Sequence, residues 1–159
     1  MEGHPHGAMR RKEREITDRA EIDTILASTN VMHLALADGD VPFLVPVFFA
    51  YDGASMCFHS ASAGTKIEIL KRNPKVCFEV SQYQGVIESE QACDFEARHR
   101  TVIGFGTAGF VDEAEKVQIL DQIVSRFTSQ QFEYPQTNLR YTSVVRIEIE
   151  SIKGKKHGF

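Results

Sequence analysis

"VMHLALADGDVPFLVPVFFAYDGASMCFHS", residues 31–60, holds three strand-like apolar runs separated by Asp38-Gly39 and Asp52-Gly53. Aspartate-glycine between apolar runs predicts a hairpin, because glycine accepts a positive φ without steric cost. The middle run, 43–51, is apolar at every position, so neither of its faces is expected to meet bulk water.

The flanking elements follow from periodicity. Asp18-Arg19-Ala20-Glu21 resembles a capping box, and Ile22, Ile25 and Leu26 recur at helical spacing, which predicts a helix over about 18–28. Thr65-Lys66 opens a short amphipathic helix that stops at Asn73-Pro74. In "VCFEVS", Val76, Phe78 and Val80 face one way and Cys77 and Glu79 the other, as in a strand. Residues 84–97 are polar and turn-like and read as a loop. A long strand over 98–111 follows, then a helix over 113–128 with Val117, Leu120, Ile123, Val124 and Phe127 on one face. A last strand, 141–152, alternates Val145, Ile147 and Ile149 with charged residues. Repeated βαβ crossovers are missing, which disfavours a doubly wound sheet. About six mainly antiparallel strands with few helices point instead to a small closed or nearly closed barrel.

A chain of 159 residues makes one domain with one sizeable core. Its net charge of −4 argues against nucleic acid as the main partner. Arg10-Arg11-Lys12 and Arg14 alternate with Glu13 and Glu15 and read as a solvated lead-in. Cys57, Cys77 and Cys93 cannot pair completely and lack metal-ligand spacing, so a reducing cytoplasm fits best. No apolar run is long enough to cross a bilayer, and no signal-peptide core stands at the N-terminus. Residues 1–9 are expected to be disordered, with His4 and His6 as adventitious metal ligands at most, and 10–159 to form the domain.

Several short motifs carry chemistry. "GFGTAG", 104–109, matches G-x-G-x-x-G, but it lies in an alternating strand rather than at a turn opening a helix, so a dinucleotide fingerprint is disfavoured. Its stripe of Gly104, Gly106 and Ala108 marks either a barrel bend or a close approach by a backbone or flat ligand. "GTK", 64–66, lacks the upstream glycine of a phosphate-binding loop. What it retains is a helix N-terminus with free amides, the Thr65 hydroxyl and the Lys66 cation, which suits an anion; a capped helix with a solvated lysine is the alternative. His59 shares a strand face with Cys57 and Ser55, and a lone histidine there is more often a packing residue than a catalyst. His33, inside an apolar strand, is expected to be structural. Arg98 and Arg100 share a face, suited to a phosphate or carboxylate, or to surface ion pairs. No catalytic triad, His-Glu-x-x-His pair or Cys-x-x-Cys motif is present.

"MRRKEREITDRAEIDTILAST", "VPFLVPVFFAYDG", "MCFHSASAGTKIEILKRNPKVCFEV" and "YQGVIESEQACDFEARHRTVIGFGTAGFVDEAEK" together resemble the nitroimidazole-resistance flavoproteins. These belong to the pyridoxamine 5'-phosphate oxidase-like, FMN-binding split-barrel group. The resemblance implies a mainly β fold, a six-stranded antiparallel split β-barrel of Greek-key type with peripheral helices, and a homodimer with flavin at the subunit interface. It implies that Val45, Pro46 and Val47 line the isoalloxazine ring and that His59, Ser60 and Ala61 lie beside it. Thr65 and Lys66 would meet the phosphate, and the strand with Arg98, Arg100 and Thr101 would complete the site. His99 and Thr101 stand where the family has tyrosine and serine; Thr101 keeps a hydroxyl, whereas His99 puts an imidazole in place of the phenol. The implied cofactor is FMN, with FAD or haem as alternatives, and no metal. The implied activity is a flavin-dependent oxidoreductase acting on small electron acceptors such as nitroimidazoles, with His59 as the catalytic candidate. A flavin- or haem-binding module without efficient turnover, or a pyridoxamine-phosphate-oxidase-like activity, are the other readings.

Overall fold

The structure, a computed structural model, describes residues 4–159. Its order is β1 (Glu15–Ile16), α1 (Arg19–Ser28), β2 (Val31–Asp38), β3 (Val41–Tyr51), β4 (Ser55–Ala61), α2 (Thr65–Arg72), β5 (Lys75–Ile87), β6 (Glu96–Phe110), α3 (Glu113–Val124), α4 (Gln136–Arg140) and β7 (Thr142–His157). All pairings are antiparallel. Strands run β7-β4-β3-β2-β5-β6, and β6 pairs back to β7, so six strands close into a barrel with β1 added on β7. Strands β2, β3 and β4 form a meander, and β5 returns through α2 to lie beside β2, which is a Greek key.

Both aspartate-glycine turns form as the local chemistry demands, with Gly39 at φ 64° and Gly53 at φ 96°. Asp52 holds its turn by accepting from the amides of Ala54 and Ser55. At α1, the Asp18 carboxylate accepts from the Ala20 amide and caps the helix. Glu21 does not close the expected box; its carboxylate takes the Lys156 ammonium instead.

The loop predicted over 84–97 is shorter. A bulge between Tyr83 and Val86, with Gly85 at φ 97°, lets the β5–β6 ladder continue to Ile87↔Glu96. The 113–128 helix ends at Val124 and the final strand runs to His157. The predicted disorder falls partly on residues 1–3, outside the described residues. Within residues 4–9, His4 to Gly7 form a turn in which the Gly7 amide donates to the His4 carbonyl.

The barrel is filled by Phe49, Phe58, Phe78, Met32, Leu34, Met56, Val80 and Ile147, with Ile25 and Leu26 from α1 and Ile69 from α2. A second cluster lies outside the barrel wall, where Ala50, Cys57 and Val144 meet Ile119, Leu120 and Ile123 of α3 and Leu139 of α4. Beyond α3, Arg126 donates to the carbonyls of Leu26, Ala27 and Thr29 and lies over the Phe49 ring, tying the end of α1 to the wall.

The stripe at Gly104, Gly106 and Ala108 faces inward, which excludes it as a seat for a flat ligand. A Cβ on Gly104 would meet the Phe78 ring at 2.2 Å, and one on Gly106 the Glu148 carbonyl oxygen at 2.2 Å. The glycines make room for a core phenylalanine and for the register shift against β7. The middle strand also differs from expectation. Val47 and Phe49 are buried, but Leu44 and Phe48 on its other face are 64% and 50% exposed in the single chain. Among the described residues, no helix is long and apolar enough to cross a membrane.

Candidate functional site

The corner between β4 and α2 brings together the residues that suit an anion. Gly64 precedes α2 at φ 119°, ψ 168°, a conformation open to glycine and strained for other residues. No side chain caps this end, and the first helical bond runs from the Glu68 amide to the Gly64 carbonyl. The amides of the first turn therefore face outward with the positive end of the helix dipole. Lys66 stands among them, with its ammonium 5.5 Å from the centroid of the Phe58 ring. Burial pushes the Lys66 pKa down, with no carboxylate acting against it, which is the electrostatic condition an anion relieves.

His59 lies beside this end of the helix. Its ring reaches solvent, yet enough protein surrounds it that burial, followed by the Lys66 charge, holds its pKa below the ordinary imidazole value. The ring also lines a pocket of about 220 Å³ with Leu120, Ile123, Tyr134, Leu139 and Thr142. Ser60 and Ala61 continue β4 against Ser143 and Thr142 of β7. His59, Ser60, Ala61, Thr65 and Lys66 thus form one corner.

Val45, Pro46 and Val47 sit mid-strand in β3, opposite Leu34, His33 and Met32 of β2. Val45 and Val47 turn toward the core, and Pro46 turns outward beside His33. His33 occupies the outer face, half exposed, with Nδ1 donating to Glu79 Oε2 at 2.9 Å.

Strand β6 is split by its alternation. Arg98 and Arg100 share a face, with the Arg100 guanidinium 4.1 Å from the Phe159 ring centroid and its Nε buried without a partner. Thr101 points to the other face, with His99. None of the three joins the α2 corner within one chain. His59 pairs with Val144 and Arg100 with Lys156, so roughly 40 Å of β7 separates them at ~3.3 Å per residue.

Sequence reading missed a hydrogen-bonded row on this outer face. In the arrangement that satisfies every donor, His99 Nδ1 donates to Thr101 Oγ1 (3.1 Å) and Thr101 to Ser81 Oγ (2.9 Å). Ser81 in turn donates to Glu79, which also receives His33. Five side chains from three strands meet here only through the β2–β5–β6 register, which no local signal announces. Exposed Leu44, Phe48, Tyr83 and Ile103 lie around the row.

A closed antiparallel barrel of six strands with an uncapped, cation-bearing helix end defines a small β-barrel with a corner suited to an anion. The family model for pyridoxamine 5'-phosphate oxidase matches residues 18–156, and the chain belongs to that family. Its structure is similar to that of a candidate 5-nitroimidazole antibiotic resistance protein from Bacteroides thetaiotaomicron, at 29% identity and TM-score 0.79 over 89% of this chain and 85% of that one. Two further structures share the fold. The flavocytochrome Anf3 from Azotobacter vinelandii is 24% identical, with TM-score 0.87 over 96% of this chain and 73% of that one. An FAD and heme binding protein from Mycobacterium smegmatis is 20% identical, with TM-score 0.84 over 92% and 75%. The chain also matches an uncharacterized protein of Rhizobium meliloti (strain 1021), 29% identical over 69 residues, which are 43% of this chain and 44% of that relative.

Proposed function

We propose that the protein binds FMN and uses it as an oxidoreductase toward small electron acceptors, nitroaromatic compounds among them. The observation that carries this is the uncapped α2 end at Gly64–Lys66, where free amides and a desolvated cation stand ready for a phosphate. The corner fits a flavin phosphate on its donor chemistry. Lys66 and the Thr65 hydroxyl would hold the phosphate, Ser60 and Ala61 would border the ring, and Pro46 would offer a flat outer wall beside it. Family membership and similarity to a flavocytochrome, an FAD and heme binding protein and a nitroimidazole-resistance candidate support the choice of flavin.

A bound flavin would supply the hydride chemistry, while this chain binds and orients it. His59, held toward its neutral form, would offer a ring nitrogen at the edge of the site without adding charge next to Lys66. The site is completed by a second copy on this reading. Leu44, Phe48, Tyr83 and Ile103 leave an apolar outer face that a partner would cover, and the distant Thr101 strand would then come from that partner.

The decisive experiment is the visible spectrum of freshly purified protein, followed by mass spectrometry of the released cofactor. A flavin spectrum and the mass of FMN are expected; a colourless protein that takes up no added FMN would sink the assignment. Anaerobic NADH or NADPH should bleach the flavin, and a nitroimidazole should restore its colour. Bleaching with no reoxidation by any nitro compound would leave a flavin module without that activity. A Soret band with added haem, lost on replacing His59 or His33, would favour the haem reading.

A further inference from the structure

Among the described residues, Lys116 is the one charged residue that is buried, at 4% exposed. It lies on the inner face of α3 with Ile119, Leu120 and Ile123, where an aliphatic residue would pack at no electrostatic cost. Burying an ammonium is unfavourable unless its donors are used. One donates to the Glu113 carboxylate a turn away, and one to the Leu139 carbonyl of α4 at 3.0 Å. Glu113 is largely exposed, so that ion pair stabilises little. The bond that calls for a buried cation is the one to α4.

Helix α4 depends on such a bond. Its five residues make little more than one turn, too short to persist unsupported in water. Leu139 anchors it in the apolar cluster outside the barrel, and Lys116 caps its negative pole from the neighbouring helix. The turn runs directly into the α2 corner. The Tyr141 amide and the Thr142 hydroxyl both donate to the Asn138 carbonyl. Thr142 then pairs with Ala61 of β4, and the Tyr141 carbonyl accepts from the Ser62 amide at 2.9 Å. Ser62 lies two residues before Gly64, so this bond sets where the open end of α2 begins. On its other side, α4 lends Asn138 and Leu139 to the pocket lined by His59. One buried ammonium therefore supports a short helix that touches both halves of the corner.

We propose that Lys116 is a positioning residue for the phosphate at the α2 corner: acting through α4, it holds the Ser62–Gly64 loop where the first-turn amides of α2 can meet an anion. The inference rests on the flavin reading for its ligand, and the test separates the two. Lys116→Met keeps the aliphatic stem and removes the ammonium. FMN affinity should fall about tenfold, whereas riboflavin, which lacks the phosphate, should bind as it does to the unaltered protein. A general loss of folding would weaken both flavins alike and leave their ratio unchanged. In the free protein, hydrogen exchange at the Ser62 amide should quicken about tenfold relative to the amides of β2. Thr142→Val, nearer the surface, removes a second bond from the same turn; it should shift both readouts in the same direction, and it decides the matter should Lys116→Met fail to fold. Unchanged Ser62 exchange, or equal weakening of FMN and riboflavin, would overturn the proposal. If the unaltered protein binds no FMN, the flavin reading falls, and Ser62 exchange alone decides whether Lys116 sets this loop.

Discussion

Helices α1 and α2 begin in opposite ways. At α1, Asp18 places its own carboxylate on the helix end, so the positive pole is neutralised from within. At α2, Gly64 has no side chain to offer, its backbone conformation suits only glycine, and the charged residue that follows is a lysine. One terminus is capped by its own sequence and the other is not; on the proposed reading an anion from outside caps it. A helix end left open beside a desolvated cation costs stability in the free protein and returns it when an anion arrives.

The strongest way to break this contrast is Lys66→Glu, which supplies α2 with a negative charge of its own. FMN affinity should fall at least about 100-fold, or ~2.7 kcal/mol, measured by quenching of flavin fluorescence. Gly64→Ala tests the backbone half of the argument. A side chain in that conformation costs about 1–3 kcal/mol, so the thermal midpoint should drop even though a Cβ there meets no neighbour within 4 Å. Asp18→Ala is the mirror experiment: it should cost about 1 kcal/mol of folding stability and leave FMN affinity unchanged. Equal effects of Asp18→Ala and Lys66→Ala on flavin binding would erase the distinction between the two ends.

The smallest effect concerns pH. His59 titrates below its ordinary value in the folded chain, so the unfolded chain takes up its proton first as pH falls. Stability should be fully present above about pH 6.5 and decline below it. His59→Gln should make that decline shallower without abolishing it, because burial also holds His4 and His99 down. Denaturant midpoints between pH 5 and 8 would show it.

What the sequence made legible was local. The two aspartate-glycine turns, the Asp18 cap and the alternation of Val76, Phe78 and Val80 each depend on neighbours within a few residues. The α2 corner was legible too, since His59, Thr65 and Lys66 lie within one strand-turn-helix unit. What was obscure depends on register between distant strands. Gly104 reads equally well as a ligand seat until Phe78, its cross-strand partner, is seen to fill the space. His33 reads only as a structural residue until its strand is oriented, when it emerges on the outer face beside Glu79. Gly85 disguised a continuing strand as a loop, because a bulge and a turn use the same residue.

The closure of the barrel on β7 also sets an order in time. This strand pairs with β4 on one side and β6 on the other, and holds β1 near its far end. During synthesis the meander and the β5–β6 hairpin can form as they emerge, but the ring stays open until β7 follows them out. Until then β4 and β6 present unpaired edges, and the nascent chain is at its most vulnerable just before its last strand arrives.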